Sequence, residues 1–327
     1  MSKGASQGVS KGATKYSFSL PRVSLHTQVA NESQLNQVSE HEKERLNWAE
    51  KLLDIPEVWK QTMGEGVKVA VLDTGIDSDH PDLKSAIVES ADFTGDGIED
   101  ASGHGTHTAG IIGARLNGVG FVGVAPKCEL IIGKVLDNNG SGTFEWISEG
   151  IDWAVQSGAD IISMSLGGPG STQGLYRAIH LALAKGVHVI CAAGNEGSMS
   201  QNSIGFPGRY GAVITVAAHD RNGNRSGFSS RGGELDVMAP GSNIWSTYKD
   251  GGYAELSGTS MATPFVAGLA ALLISKHKAQ PDSKTPVENT SDLKEHLMRM
   301  AAHPGYHDNL SGYGPLQPFR LFGNSEQ

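Results

Sequence analysis

The sequence predicts an α/β fold with three layers, in which helices cover both faces of a mainly parallel central sheet. Short runs that are apolar at nearly every position predict strands buried on both faces. Segments with apolar residues at helical spacing separate these runs, and this alternation is typical of parallel sheets with helical connections. The 43 glycines suit tight turns and a cleft with backbone walls.

The predicted elements alternate from residue 67 onward. In chain order they are strand 67–72, strand 129–135, helix 144–155, strand 161–164, helix 175–185, strand 187–192, strand 213–216 and strand 235–238. An apolar run then predicts a helix from Ser260 to Ile274. A later segment with Leu293 and Leu297 on one face predicts a helix capped by Ser291.

Ser260 is the residue on which the functional prediction depends. It lies in the segment GTSMATP, at the start of the predicted apolar helix. Unpaired backbone N–H groups and the positive end of a helix dipole stabilise negative charge on a nearby oxygen. Pro264 is expected in the first turn, where a missing N–H costs least. A nucleophilic serine also needs a base and a group that orients the base.

Two earlier motifs supply an acid and a base. The motif DTGID begins with Asp73 directly after a predicted strand, and HGTHTAG begins with His104 and opens a helix of small residues. Asp73, His104 and Ser260 thus occur in one of the chain orders known for serine triads. His107 lies one helical turn after His104, but no glutamate completes a His-Glu-x-x-His zinc motif, so we interpret it as a packed histidine.

Six motifs together resemble one family. DTGID, HPDL, HGTHTAG, SMSLGG, AAGNEG and GTSMATP occur in the order found in the subtilisin-like serine peptidases, and the similarity extends from about Trp59 to Leu321. The resemblance implies the subtilisin form of the αβα fold and cleavage of protein or peptide substrates, closest in character to bacterial intracellular subtilisins. Phe265 departs from the family's usual histidine at a packing position, and Ser257 departs from a common asparagine near the cleft.

The resemblance implies four catalytic residues. Ser260 is the nucleophile, His104 takes its proton and returns it to the leaving amine, and Asp73 fixes the imidazole tautomer. Asn195, in AAGNEG, donates its amide to the developing oxyanion together with the backbone N–H of Ser260. In a subtilisin itself, removal of that asparagine costs about 10²–10³-fold in turnover.

Substrate is expected to lie extended between two backbone edges, as an added strand does. Gly167 and Gly194 leave the primary pocket wide enough for large apolar side chains, and Glu196 at its mouth also admits a basic one. Phe144 is expected at the rim of an apolar subsite. By resemblance, the substrate-binding residues are Gly140, Ser141, Gly142, Phe144, Ser165, Leu166, Gly167, Gly194 and Glu196.

The resemblance also implies structural Ca²⁺, bound by oxygen ligands. The matching positions for the main site are the side chains of Asp82 and Asn117 and the backbone carbonyls of Arg115, Val119 and Phe121. A weaker cation site is expected from the carbonyls of Gly208, Tyr210 and Val213 near Asp236.

Residues 1–53 are interpreted as an N-terminal extension, and residues 54–327 as the peptidase domain. The extension begins with a polar arm, and a helical pattern follows that places Leu46, Ala49, Leu52 and Leu53 on one face. Intracellular subtilisins have a short extension that blocks the cleft through a Leu-Ile-Pro-Tyr motif. That motif is absent here, so two hypotheses stay open: an inhibitory arm around residues 16–21, and a flexible tail.

Composition narrows the function classes. The net charge of −9 disfavours a general role in binding nucleic acid or anionic membranes. No apolar run is expected to span a bilayer, and the N-terminus does not resemble a secretory signal. Cys128 and Cys191 are expected to be free thiols, which suits the reducing cytoplasm. The resemblance also suggests a homodimer, although no residue identifies an interface.

Two further interpretations remain open on the sequence alone. A catalytically silent subtilase fold could serve as a binding or maturation partner, because a fold does not guarantee a function. An α/β-hydrolase esterase is the other, because Gly258-x-Ser260-x-Ala262 nearly matches its nucleophile elbow, with Asp292 and His303 downstream. The esterase leaves Asp73 and His104 without a role.

Overall fold

A computed structural model describes residues 45–282 and 286–323, and the backbone of residues 18–19. The strands are β1 (Phe18–Ser19), β2 (Lys68–Asp73), β3 (Ile87–Asp92), β4 (Glu129–Lys134), β5 (Ser141–Gly142), β6 (Ile161–Met164), β7 (His188–Ala192), β8 (Ile214–His219), β9 (Val237–Pro240), β10 (Ile244–Tyr248) and β11 (Gly252–Leu256). Seven of them form one sheet in the order β3-β4-β2-β6-β7-β8-β9. Every neighbouring pair in it is parallel.

Helices pack on both faces of this sheet. They are α1 (Trp48–Leu52), α2 (Ile55–Val58), α3 (His104–Gly113), α4 (Phe144–Gln156), α5 (Gln173–Ala184), α6 (Thr259–Ala279), α7 (Thr290–Met300) and α8 (Phe319–Phe322). Buried residues of α3, α6 and α7 belong to one apolar cluster, and those of α4 and α5 belong to another. The predicted αβα architecture is therefore confirmed.

Local sequence signals account for several helix ends. Thr143 and Thr172 accept hydrogen bonds from backbone N–H groups in the first turns of α4 and α5. Gly158 and Gly186 follow these helices with φ of 73° and 79°, a conformation that glycine adopts without a Cβ penalty. The predicted cap of α7 is wrong: Asn289, not Ser291, is its N-cap and forms a capping box with Asp292.

Four parts of the structure differ from the prediction. Strand β3 was not predicted because its residues are all partly exposed or exposed and lack a continuous apolar run. The hairpin β10–β11 is mostly buried, but polar residues such as Ser246, Thr247 and Glu255 interrupt its apolar pattern. The last sheet strand begins at Val237 rather than residue 235. Of the predicted helix before residue 54, only 45–53 is described, and there Leu52 is 56% exposed instead of facing the core.

Helix α6 runs through the protein core. By length and composition it could cross a membrane, which corrects the expectation that no apolar run is long enough. In the folded chain 94% of its apolar window is buried. Its apolar surface is therefore used in packing against the sheet and neighbouring helices.

Glu50 in α1 is a buried carboxyl group. Its side chain is fully buried, Oε1 accepts a hydrogen bond from Asn47 at 3.1 Å, and Oε2 has no hydrogen-bond partner among the described residues. Burial raises the pKa of Glu50 from its ordinary value of 4.5 to about 8, although hydrogen bonds from Asn47 oppose the shift.

We predict that the Glu50→Gln variant is stabilised at alkaline pH. Between pH 4.5 and about 8 the folded chain retains a proton on Glu50 that the unfolded chain has lost, so stability falls as pH rises through this window. At pH 9 the variant should gain several kcal/mol, on the order of 4, and near pH 4.5 almost nothing. Urea unfolding of Ser260→Ala protein, which cannot digest itself, measures the difference.

The exposed Glu57 in the next helix provides the matched control. It pairs with Lys60 at the surface, where ion pairs contribute little, so Glu57→Gln should leave the pH dependence of unfolding unchanged. Equal effects of Glu50→Gln at pH 5 and pH 9 would contradict the prediction.

Candidate active site

The sheet topology brings the predicted site residues to one edge. Strand β2 ends at Asp73, β6 leads into residues 165–167, and β7 leads into Asn195. These three strands are neighbours and parallel, so their carboxyl ends meet at the same edge. Ligands of open α/β sheets bind at this edge. Residues 140–142 follow β4, on the other side of β2.

Asp73 and His104 form a buried pair. Nδ1 of His104 lies 2.7 Å from Oδ1 of Asp73, and the two side chains are 4% and 0% exposed. Since a carboxylate only accepts hydrogen bonds, Nδ1 carries the proton. Burial by itself lowers the pKa of His104, but the charge and hydrogen bond of Asp73 and the charge of Asp100 outweigh it, so the pKa lies above 6.5.

Ser260 is the second residue of α6 and is fully buried. Its hydroxyl donates a hydrogen bond to the carbonyl of Ser165 at 3.2 Å. Nε2 of His104 has no hydrogen-bond partner among the described residues. The nitrogen required as base is therefore an open acceptor, while the serine proton is directed at a neighbouring carbonyl.

Pro264 was expected in the first turn of α6, but it lies further inside the helix. A proline there leaves the carbonyl of Ser260, four residues earlier, without its helical N–H partner. The hydroxyl of Ser165 donates to that carbonyl at 2.8 Å. The predicted substrate edge and the serine thus hold each other in place through two hydrogen bonds.

The amide of Asn195 has a defined orientation. Its Oδ1 accepts from the backbone N–H of Thr259 at 2.9 Å and from the Thr259 hydroxyl at 3.0 Å. Because a backbone N–H can only donate, the atom facing it is the amide oxygen. The amide nitrogen lies on the side of Gly258, where an added Cβ would be 3.2 Å from it. This places a donor beside the N-terminus of α6.

His107 is a packed histidine, as the sequence analysis favoured. It is fully buried, and its Nε2 lies 3.1 Å from the carbonyls of Ile244 and Ala254. Burial, and next the charge of His104, lower the pKa of His107 to about 3, so its ring is neutral at working pH.

Asp100 is a site residue that the sequence analysis missed. Its carboxylate is 5% exposed and accepts hydrogen bonds from Thr74 and from residues at the start of α3. The N-cap of α3 is Gly103, which has no side chain to supply a cap. An acidic residue shortly before such a glycine cap was the signal available in the sequence.

The predicted substrate edges lie on either side of Asp73. Ser141–Gly142 pairs antiparallel with Phe18–Ser19, with Phe18 opposite Gly142 and Ser19 opposite Ser141. Part of the N-terminal extension therefore forms an added strand on an edge predicted for substrate. On the other side, Gly168 next to the second edge bridges to Phe206.

Two of the residues predicted to line the primary pocket, Gly194 and Glu196, contact each other. The carboxylate of Glu196 accepts from the Ser230 hydroxyl at 2.9 Å and lies over Gly194, where a Cβ would collide with it. Gly194 has φ of 110°, a conformation that residues with a Cβ rarely adopt, and this favours glycine there. The Phe144 ring lies next to Gly170, where an added Cβ would be 3.7 Å away.

The main predicted calcium site is built around Asp82. Its carboxylate accepts from Asn117 Nδ2 at 3.1 Å, from the Phe121 N–H at 2.9 Å and from the Tyr253 hydroxyl at 2.8 Å. Two carboxylate oxygens have about four lone-pair positions, so one stays for a cation. As it stands, the Asn117 amide turns its nitrogen to Asp82, because its Oδ1 accepts from the Val119 N–H at 3.0 Å. A cation here would require the amide to rotate and give up that bond, after which Asp82 and Asn117 would both offer oxygen, the ligand type that calcium prefers.

The weaker predicted cation site does not fit a metal ion. The ammonium of Lys294 lies 2.9 Å from Oδ1 of Asp236 and 3.0 Å from the carbonyl of Gly211. The carbonyls of Gly208 and Tyr210 accept from Thr215 and Val213. Lysine therefore supplies the positive charge at this position, and protein donors engage the oxygens.

These features define the class of the protein. A parallel α/β sheet with a buried Asp–His pair at its carboxyl edge, in a chain that also has a serine at a helix N-terminus, has the parts of a serine peptidase site. The chain belongs to the subtilase family, because the Subtilase family pattern (Peptidase_S8) matches residues 64–314.

Curated relatives agree with this assignment. The chain is 50% identical over 230 residues to an intracellular serine protease of Paenibacillus polymyxa, which covers 68% of this chain and 71% of the relative. It is 47% identical over 245 residues to subtilisin DY of Bacillus licheniformis, covering 74% and 86%. It is 44% identical over 243 residues to thermitase of Thermoactinomyces vulgaris, covering 73% and 86%.

The prediction of a subtilisin-like serine endopeptidase acting on protein or peptide substrates is thereby confirmed. The esterase interpretation is wrong. Asp292, its proposed acid, instead caps α7 by accepting from the backbone N–H groups of Glu288 and Asn289.

Proposed function

We propose that Ser260 attacks the scissile carbonyl, with His104 as general base and Asp73 as the residue that orients it. The proton on Nδ1, held by Asp73, leaves Nε2 as the acceptor that takes the serine proton. The Ser260 hydroxyl first leaves the carbonyl of Ser165 for this nitrogen. Catalytic hydrogen bonds are often incomplete before substrate binds, and binding aligns them.

After attack, the imidazolium of His104 gives its proton to the leaving amine, and an acyl group stays on Ser260. Water then attacks the acyl group, with His104 again as base. The oxyanion of each tetrahedral intermediate accepts hydrogen bonds from the Asn195 amide and the Ser260 backbone N–H. Because the pKa of His104 is raised, kcat/KM should fall as pH drops through a value above 6.5.

The contact between Nδ1 of His104 and Oδ1 of Asp73, at 2.7 Å, carries this proposal. Its test is labelling with a fluorophosphonate probe, which reacts only with an activated serine, together with cleavage of casein. We expect one label, at Ser260. A folded chain without label or casein cleavage would instead support the silent binding partner.

The predicted pocket supports broad specificity with large apolar P1 residues. Gly167 and Gly194 offer no side chains to narrow the pocket, and the Glu196 carboxylate at Gly194 also suits a basic P1 residue. A peptide-library profile should therefore show aromatic and aliphatic P1 residues, with lysine or arginine reduced in Glu196→Gln. A profile restricted to acidic P1 residues would contradict the assignment.

A calcium ion bound by Asp82 and Asn117, with the carbonyls of Arg115, Val119 and Phe121, is part of the proposal. Its role is structural, since it would hold the loop after α3 against the loop before β3. Calcium at a hundred times its dissociation constant should add about 2.7 kcal/mol to the free energy of unfolding. Thermal melting with calcium and with chelator measures this, and Asn117→Ala should abolish the response. A melting temperature that is the same with calcium and with chelator would contradict calcium binding.

The N-terminal extension is proposed to inhibit the enzyme. The pairing of Phe18–Ser19 with Ser141–Gly142 supports this, because an added strand there competes with substrate for the same backbone groups. The alternative, a flexible tail, would have no reason to pair with this edge.

Removing the residues before Ser33 is therefore expected to raise the initial rate on a peptide substrate at least about tenfold, the effect of a contact worth about 1.4 kcal/mol. Progress curves of the full chain should also accelerate as the extension is cleaved. Melting of both forms in the Ser260→Ala background checks that truncation does not alter the fold. Equal initial rates of the full and the truncated chain would favour the hypothesis of a flexible tail.

A cytoplasmic location is proposed as well. Cys128 and Cys191 are free and buried, and a relative carries the name intracellular serine protease. Burial raises the pKa of the Cys128 thiol to about 12, so it is unreactive. Fractionation of producing cells should find the enzyme in the cytosol, and recovery from the medium would contradict this. The homodimer stays a prediction.

A further inference from the structure

A second buried carboxylate lies beside the Asp–His pair. We propose that Asp100 is a positioning residue, which fixes His104 relative to Asp73 and supplies negative charge that stabilises the imidazolium formed in catalysis. This inference rests on the proposed function, in which His104 is the general base. Asp100 acts through His104 and does not need to touch the substrate.

The positioning part follows from hydrogen bonds. Asp100 accepts five, and the donors are the Thr74 hydroxyl at 2.8 Å, the Ser102 N–H at 3.2 Å, the Gly103 N–H at 2.8 Å, and the Thr106 N–H and hydroxyl, each at 2.8 Å. Four of these bonds come from the loop and first turn at the start of α3. His104 is the first residue of that helix, so Asp100 sets its position.

Thr74 connects this cluster to the acid. Its backbone N–H donates to Asp73 at 2.8 Å, and its hydroxyl accepts from the Gly105 N–H at 2.9 Å while donating to Asp100. The residue after the acid is thereby bonded to the residue after the base. A shift of Asp100 would move both catalytic side chains relative to each other, and such misplacement costs about 10²-fold when it reaches 1 Å.

The electrostatic part follows from the place of His104 on its helix. The N-terminus of α3 has a positive partial charge, which disfavours a cationic imidazole in the first turn. Asp100 binds the N–H groups at that end and offsets their charge. The titratable groups that act on His104 are Asp73 and Asp100, both of which raise its pKa. His107, with a pKa of about 3, stays neutral.

A simple helix cap is the competing explanation, and a pH profile separates the two. A cap affects folding and alignment, but it does not require a shift in the titration of His104. Asp100→Asn removes the charge and keeps the size, whereas Asp100→Glu keeps the charge and displaces the oxygens by one methylene. Asp92→Asn is the matched control, because Asp92 also accepts hydrogen bonds from the backbone N–H groups of a turn.

The experiment measures kcat, KM and the pH profile of kcat/KM on a neutral chromogenic peptide, with melting of each variant. For Asp100→Asn we expect kcat to fall about 10- to 100-fold at nearly constant KM. The acid limb of the kcat/KM profile, where activity falls as His104 becomes protonated, should move to lower pH by about 0.5 unit, because the imidazolium has lost a stabilising charge. Asp100→Glu should lose kcat but keep the wild-type acid limb, and Asp92→Asn should match wild type.

An unchanged kcat in Asp100→Asn overturns the inference, and so does a lower kcat with an unmoved acid limb, which is the result for a simple cap. If Asp100→Asn does not fold, Thr74→Val is used instead, because it removes the hydroxyl that bonds to Asp100 and to the Gly105 N–H without changing any charge. A reduced kcat in this variant supports positioning, and a wild-type kcat overturns the inference. Failure of the proposed function is visible separately, as a wild-type enzyme whose Ser260 is not labelled.

Discussion

Replacing Ser260 with alanine is expected to lower kcat by about 10⁶-fold, the loss that removal of the serine or the histidine causes in a subtilisin itself. A methyl group cannot attack a carbonyl, and the one hydrogen bond lost, to Ser165, is at 3.2 Å. The fold should therefore persist. His104→Ala should lose as much, because an unassisted hydroxyl is barely nucleophilic at neutral pH.

The double variant gives the sharpest form of this prediction. If Ser260 and His104 act as one unit, the double variant should be no slower than either single variant, with a small residual rate from oxyanion binding. Long incubations with a chromogenic peptide measure these low rates, and the fluorophosphonate probe tests each variant for labelling.

His303→Ala is the control, since His303 is exposed and was the base of the esterase interpretation. It should retain full activity. Activity that survives His104→Ala and disappears in His303→Ala would refute the triad.

Replacing Asn195 with alanine should lower kcat by about 10²–10³-fold with little change in KM, again the magnitude known from a subtilisin. The amide donor acts mainly on the oxyanion, which exists only near the transition state, so ground-state binding should be preserved. Steady-state kinetics on one peptide substrate separates kcat from KM.

Two variants show whether donation by the amide is responsible. Asn195→Asp keeps the size and the acceptor for Thr259, but it replaces the donor with an oxygen, so it should be at least as impaired as the alanine variant. Asn202→Ala is the control: Asn202 is a neighbouring loop amide that accepts from the Ile204 N–H and donates to Glu234. It should keep its kcat. A higher KM with constant kcat in Asn195→Ala would instead indicate a substrate-binding role.

The predicted elements were most accurate where a strand is buried on both faces. Strand β6 has the predicted bounds, Ile161–Met164, because every one of its residues is buried and three of the four are apolar. Strand β3 lies at the sheet edge and all six of its residues are partly exposed or exposed, so its sequence has no continuous apolar run. The cap of α7 was misplaced because Asn289 and Ser291 are both good capping residues and only the backbone conformation distinguishes them.

The residues of the candidate site were likewise predicted where a local motif marks them and missed where a contact joins distant parts of the chain. Asp73, His104, Asn195 and Ser260 stand in short motifs at element ends, so their types and local context are visible along the chain. Asp100 is bonded both to its near neighbours and to Thr74, 26 residues away, and the second bond cannot be inferred from local pattern. Lys294 and Asp236 are 58 residues apart in sequence, and their ion pair lies where a metal site was expected.

By itself, the amino-acid order determined the class of fold, the kind of chemistry and the four side chains proposed to perform it, because these depend on local periodicity and on motifs with chemical meaning. Only the folded chain decided which donors surround each of those side chains, which hydroxyl replaces the N–H donor lost at Pro264, and which strand lies along Ser141–Gly142. The reason is physical: a hydrogen bond or ion pair depends on distances of about 3 Å between groups far apart in sequence, and only tertiary packing sets such distances.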